Sequence, residues 1–146
     1  DQLVTRKLTD YRLALYASRS YLARTPAIEK REDLAAHAWI DYVDDLLFSQ
    51  ELKLLSSFCR NPRVVFHSTS VIAQHQAARS GLGIAVLPCF VAAGDPDLVP
   101  LLPEEGIQRS YWISSRRELH KSVRLRVLWD YVVELCAKEQ GLLLGA

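Results

Sequence analysis

The residues best able to do chemistry sit in one short stretch, Ser68-Thr69-Ser70, with His67 just before it and His75 just after. Three consecutive hydroxyls at the start of a helix can do two things. One of them can cap the helix by accepting a hydrogen bond from its first turn. Together with the free N–H groups of that turn, they can also cradle a carboxylate. Both readings stand on the sequence alone. A hydrolase would need one of these serines, a histidine and an orienting acid, but adjacency in sequence does not make a nucleophile–base pair and no acid completes the set. Gly81-Leu82-Gly83 is no dinucleotide fingerprint, because Val86 stands where a third glycine belongs. A glycine stop at a helix end explains Gly81 better. No phosphate loop, Gly-x-Ser-x-Gly elbow or His-Glu-x-x-His is present. Cys89, behind Pro88 at a strand end, reads as a buried inert thiol rather than a reactive one.

The elements that must position these groups follow from the pattern around them. Arg63 to His67 is a β-branched and aromatic strand, Val71 to Arg79 is helical, and Ile84 to Leu87 is a buried strand closed by Pro88. This β-α-β unit predicts two parallel strands with a crossover helix between them. The helix is expected to bury Val71, Ile72 and Ala78 and to turn Gln74 or Arg79 outward. Upstream, Leu3 to Leu8 and Arg12 to Ala17 read as two strands, and Ser18 caps a short helix to Arg24. Glu29 to His37 is helix-prone, Ala38 to Val43 is a strand, and Glu51 to Cys59 has a helical apolar face. Downstream, Leu98 to Leu102 and Ile107 to Ser114 read as strands. Glu118 to Lys138 reads as one long helix with Leu125, Leu128, Val132 and Leu135 along an apolar face. Strands ending at Val43, His67 and Leu87 would open on one crevice, where open α/β sheets bind ligands. Ser68, Thr69 and Ser70, with Tyr42 at the end of the strand before them, are candidate ligand-binding residues.

Composition narrows the class. The 146 residues suit one compact domain, and 18 Lys plus Arg against 17 Asp plus Glu leave a net charge of only +1. A nucleic-acid-binding module gathers basic charge on one face. Here the basic stretch, Arg116-Arg117 and Lys121 to Arg126, is interrupted by Glu118 and reads as a solvated surface. If DNA is involved, another part of the protein holds it. Three distant cysteines and four histidines give no zinc spacing, so neither metal nor cofactor is expected. Reduced thiols, the lack of an apolar run of membrane length and the lack of a signal peptide at Asp1-Gln2-Leu3-Val4 point to a cytoplasmic protein. The chain contains no Met, and its strand-like start reads as that of a fragment cut from a longer protein.

The segment Gln76-Ala77-Ala78-Arg79-Ser80-Gly81-Leu82-Gly83-Ile84-Ala85-Val86-Leu87-Pro88 resembles the "VAAGLGIALLP" signature of LysR-type transcriptional regulators. Leu3 to Leu8, followed by Leu13 to Ser18 and Ser20 to Arg24, is similar to that family's "LVARRL…LVASPAYLARHG". Asp33 to Ile40 resembles its "DLAxHxCI", and Leu98 to Pro103 its late strand. The likeness runs through nearly the whole chain in the expected order. It departs at Arg19, where relatives commonly show Pro. The resemblance implies an α/β, periplasmic-binding-protein-like (type 2) effector domain in which two subdomains enclose a small molecule. The second subdomain (about 12–87) would be nearly complete, with 1–11 and 88–146 supplying crossover strands and the returning part of the first. Most of the first subdomain and the helix-turn-helix would be missing from this chain. The implied function is to sense a small metabolite, which the helix start at Ser68 to Ser70 would make an anionic one, and so to modulate DNA binding by the longer regulator, a homo-oligomer (dimer or tetramer) that is neither an enzyme nor membrane-bound. Within that resemblance, Ser68 to Ser70 match the helix start used for the effector, and Pro88 to Phe90 the crossover beside it, which adds Pro88, Cys89 and Phe90 to the candidate ligand-binding residues. A periplasmic-type solute-binding protein of the same fold is the alternative.

Overall fold

A computed structural model describes residues 3–43 and 53–145. The chain forms two compact units, a larger one of Leu13–Ile107 and a smaller one of Asp1–Arg12 with Gln108–Ala146. The strand β1 (Leu3–Ser18) passes from the smaller into the larger.

The larger unit contains the second part of β1, α1 (Arg19–Leu22), β2 (Ala38–Asp41), β3 (Arg63–His67), α2 (Val71–Arg79), β4 (Ile84–Pro88), α3 (Cys89–Ala92) and β5 (Leu98–Leu101). The strand order is β3-β2-β4-β1-β5. Both β3 and β4 run parallel to β2, which lies between them, whereas β1 is antiparallel to β4 and β5. The expected parallel pair therefore belongs to one sheet, joined through α2. Residues 88–107 fall in this unit because β5 pairs with β1 over Leu15 to Ser18.

Every residue of β4 is buried, as expected of a strand covered on both faces. Ala85 and Leu87 join Ala14, Tyr16 and Ile40 in a cluster with Ala77 and Ala78 of α2 and Cys89 and Ala92 of α3. Strand alternation sends Ile84 and Val86 to the opposite face with Leu13, Leu15 and Trp39, all of them buried. The sheet is close-packed at Gly83, where a Cβ would come within 2.5 Å of the Ala38 carbonyl oxygen, a backbone atom that cannot move aside. Gly81 ends α2 at φ +82°, the glycine stop expected from the sequence.

Several elements differ from expectation. Residues 3–18 form one strand rather than two, because the polar break at Asp10 is compensated by Lys7 at 2.7 Å and by the Ser110 hydroxyl. Residues 31–36 form a 3-10 turn, not a helix; Asp33 accepts the N–H groups of Glu29 and Lys30 at 2.9 and 3.0 Å, which holds its carboxyl below the usual range. Of the helix expected over 51–59, residues 51 and 52 lie outside the described residues, and the rest is a single 3-10 turn at Leu55–Ser57. In α2, Ala78 is buried, Val71 packs on the core and Arg79 is exposed as expected, but Ile72 is 63% exposed and Gln74 is buried. The Gln74 side-chain amide donates to the Ser68 carbonyl at 2.8 Å. That bond satisfies a polar group inside and fixes the rotation of the helix.

A buried pair ties the 3-10 turn to β2. The Tyr21 hydroxyl accepts the Ala38 N–H at 2.9 Å and shares a hydrogen bond with His37 Nδ1, 3.1 Å away. His37 is 1% exposed, its Nε2 has no partner, and burial lowers its pKa below the ordinary value of 6.5 despite the opposing charge of Asp33. The unfolded chain then binds the proton more readily than the folded one. Stability is fully present above pH 6.5 and is lost as pH falls below it. The midpoint of urea unfolding is expected to drop between pH 7.5 and 5.5 and to drop less in His37→Gln; equal slopes would assign the acid sensitivity to other groups.

The smaller unit pairs the first part of β1 with β6 (Ile107–Arg116). Tyr11 stacks on Tyr111 with centroids 4.1 Å apart. A 3-10 turn (Leu119–Lys121) precedes α4 (Val123–Lys138) and α5 (Gln140–Leu144). The expected long helix thus starts five residues late, at Val123, because the extended backbone of Ser122 separates it from the turn before. Of its apolar residues Trp129 alone is buried, and Val127, Leu128, Tyr131 and Leu135 are exposed.

Candidate functional site

Because β2, β3 and β4 are parallel, Asp41, His67 and Pro88 terminate them at the same edge of the sheet. The start of α2 and the start of α3 follow from that edge. All seven candidate ligand-binding residues lie on the segments leaving it: Tyr42 after β2, Ser68 to Ser70 after β3, and Pro88 to Phe90 at the turn from β4 into α3.

The three hydroxyls are not equivalent. Ser70 is the cap of α2, its Oγ accepting the Ala73 N–H at 3.3 Å. Ser68 Oγ accepts the Ser70 N–H at 3.1 Å, and the Ser68 N–H donates to the Asp41 carbonyl at 3.0 Å, closing the loop onto β2. Thr69 is exposed, and its hydroxyl has no hydrogen-bond partner among the described residues. Helix geometry leaves the N–H groups of Val71 and Ile72 without intrahelical acceptors. A free hydroxyl beside two open N–H groups at the positive end of a helix is what an anion requires.

Around this start, His67 donates Nδ1–H to the Tyr42 carbonyl at 3.0 Å, which fixes the ring against the loop after β2. Pro88 and Cys89 are buried, and Phe90 is partly exposed. The Cys89 thiol is 3% exposed and unpaired with Cys59 or Cys136, so its contribution here is shape rather than reactivity.

Neither histidine near the run meets a serine. His75 Nε2 lies 3.2 Å from Asp95 Oδ2, and Arg79 lies 3.5 Å from the same carboxylate and 3.3 Å from Asp97. A serine–histidine hydrogen bond does form elsewhere, between Ser115 Oγ and His120 Nδ1 at 3.2 Å, but no carboxylate pairs with that ring among the described residues. Among those residues no cluster of three or more His, Cys, Asp or Glu could hold a metal, and no helix is long and apolar enough to cross a membrane.

What sequence reasoning missed is the division of labour within the serine–threonine run. Each of the three is a good cap by residue type. Only the loop's bonds to β2 and Gln74 decide which hydroxyl is left over.

Comparison with solved structures identifies the architecture. The regulatory domain of CrgA, a LysR-type transcriptional regulator from Neisseria meningitidis, is 26% identical at a TM-score of 0.73, over 92% of this chain and 69% of that one. The regulatory domain of HypT from Salmonella typhimurium, at 18% identity, shares the fold with a TM-score of 0.72, over 94% of this chain and 67% of that one. The full-length Vibrio cholerae virulence activator AphB matches at 22% identity and a TM-score of 0.71; this chain covers 48% of it, with 92% of its own length aligned. No curated protein matches. The family described as the LysR substrate binding domain matches residues 1–137. With that match over most of its length, on a mixed α/β sheet shared with LysR regulatory domains, the chain belongs to the LysR substrate-binding domain family and has its periplasmic-binding-protein-like fold.

Proposed function

We propose that this chain is the effector-sensing part of a LysR-type regulator and that it binds a small carboxylated or otherwise anionic metabolite at the start of α2. The observation that carries this is the convergence of three parallel strand ends on a helix start with an uncommitted threonine hydroxyl. The anion accepts hydrogen bonds from Thr69 and the first N–H groups of α2. Ser68 and Ser70 hold the loop in shape, and Tyr42 with Pro88, Cys89 and Phe90 forms the adjoining walls. Occupancy is passed to a DNA-binding helix-turn-helix upstream, the only part that touches DNA, in a cytoplasmic homo-oligomer (dimer or tetramer) without catalytic activity. No cofactor takes part in this reading.

The bond assignments give a test that separates binding from capping. Thr69→Ala removes a hydroxyl that supports nothing in the fold. It is expected to cost about 1.5–3 kcal/mol of effector affinity, the worth of a hydrogen bond to a charged group, with thermal stability unchanged. Ser70→Ala is expected to lower helix stability instead, by about 0.5–2 kcal/mol. Calorimetry of the full-length regulator against its effector reads the first, and thermal unfolding the second. If Thr69→Ala and the Thr69→Ala, Ser70→Ala pair both bind effector as tightly as the parent, the run is a cap and nothing more.

A further inference from the structure

We propose that His75 and Asp95 form a proton-operated clamp that fastens α2 to the turn after α3, closed when the imidazole is protonated and open when it is neutral. Every residue involved belongs to the larger unit, which is continuous in the chain. The clamp lies on the second half of α2, beyond Ser68 to Ser70, and stands whether or not that run binds an anion.

The geometry sets the two states. His75 Nε2 lies 3.2 Å from Asp95 Oδ2, within ion-pair reach, yet it is buried and has no hydrogen-bond partner among the described residues. A neutral ring placed so gains little from its neighbour, whereas a protonated one gains a charge-assisted contact. Asp95 is suited to provide it. Its side chain is only 9% exposed, and its other oxygen accepts the Asp97 N–H at 3.0 Å, which fixes the carboxylate in the turn. The cation already beside it is shared, since Arg79 Nε lies 3.5 Å from Asp95 and 3.3 Å from Asp97. A buried carboxylate with part of a counter-charge gains from a second cation.

The rest of the surroundings let the ring titrate. Arg19 of α1 commits its Nε to the Pro96 carbonyl at 3.1 Å, α3 contributes the apolar Val91, and Gln76 shares a hydrogen bond with His75 Nδ1 at 3.2 Å. A cavity of ≈ 350 Å³ lined by His75, Arg79 and Asp95 lies beside the ring, so water can deliver and remove the proton. Histidine is the side chain that changes charge between about pH 5 and 8. The clamp therefore closes toward the acid end and opens as the proton leaves. Its sign is opposite to that of His37, whose burial makes acid destabilising.

Hydrogen exchange of the full-length regulator, read by mass spectrometry at pH 5.5 and 7.5 and corrected for intrinsic rates, tests the clamp. The amides of residues 84–87, in the buried strand β4, give the reference for global unfolding. Relative to them, the amides of residues 72–80 are expected to be about tenfold better protected at pH 5.5 than at pH 7.5. His75→Gln and Asp95→Asn are each expected to abolish that difference, and Asp95→Asn keeps an acceptor for the Asp97 N–H. Arg79→Gln, which removes the shared cation, is expected to retain it. Protection of residues 72–80 that does not rise at pH 5.5, a rise that survives in His75→Gln or Asp95→Asn, or its loss in Arg79→Gln overturns the proposal.

Discussion

Trp39→Ala is expected to cost the larger unit about 3–5 kcal/mol, the range for truncating a buried aromatic, and so most of the margin by which a small domain stays folded. Trp39 is wholly buried on β2, the strand between β3 and β4. Its indole N–H donates to the Leu34 carbonyl at 3.3 Å, linking the sheet to the 3-10 turn before it. The alanine variant therefore loses packing, leaves a cavity and abandons a buried carbonyl at once. Trp39→Phe keeps most of the volume and isolates the hydrogen bond, worth about 0.5–1.5 kcal/mol. Urea unfolding of both variants checks the ordering. Two near-equal midpoints close to the parent's would mean that β2 is not the centre of the core.

The second large effect concerns α4. Val127, Leu128, Tyr131 and Leu135 are between 42% and 64% exposed and lie at helical spacing along one side. Covering side chains of this size is worth about 1.5–3 kcal/mol each when fully buried, so a bare stripe drives association. In sedimentation the 146-residue chain is expected to sediment as more than a monomer, with an average mass that rises with concentration. Leu128→Glu with Tyr131→Glu is expected to return it to a monomer without loss of helix content. A parent chain that stays monomeric at every concentration would show that the stripe is tolerated in water.

The β3-α2-β4 unit was legible because its punctuation is strong. A β-branched strand, a run of small hydroxyl residues, a glycine at the helix end and Pro88 leave little choice of boundaries. The facing of α2 was legible at Val71, Ala78 and Arg79 but not at Ile72 and Gln74. Hydrophobicity assigned Ile72 to the core, but Ala77 and Ala78 let the helix approach the sheet closely, and the Gln74 bond to Ser68 sets its rotation. The single strand over 3–18 was hidden for a related reason. Asp10 reads as a break until Ser110, far along the chain, is placed beside it. Ser68 to Ser70 were found by reasoning about strand ends and Pro88 to Phe90 through the family resemblance, and the sheet brings both to one edge. The spare hydroxyl of Thr69 depends on the bond from the Ser68 N–H to the Asp41 carbonyl, a partner distant in sequence that no local pattern encodes.

The larger unit is continuous in the chain, whereas the smaller is assembled from its two ends. This fixes an order of events during synthesis. At about 5–20 residues per second, everything up to Ile107 leaves the ribosome seconds before α4 does. The five paired strands of the larger unit can close in that interval, since each partner is already present. The first part of β1 must wait for its partner β6, and Trp129 arrives later still. Cellular quality control therefore meets this protein with its larger unit able to fold and the pairing of β1 with β6 still to form, so variants that slow the formation of β6 are the ones most open to aggregation at birth.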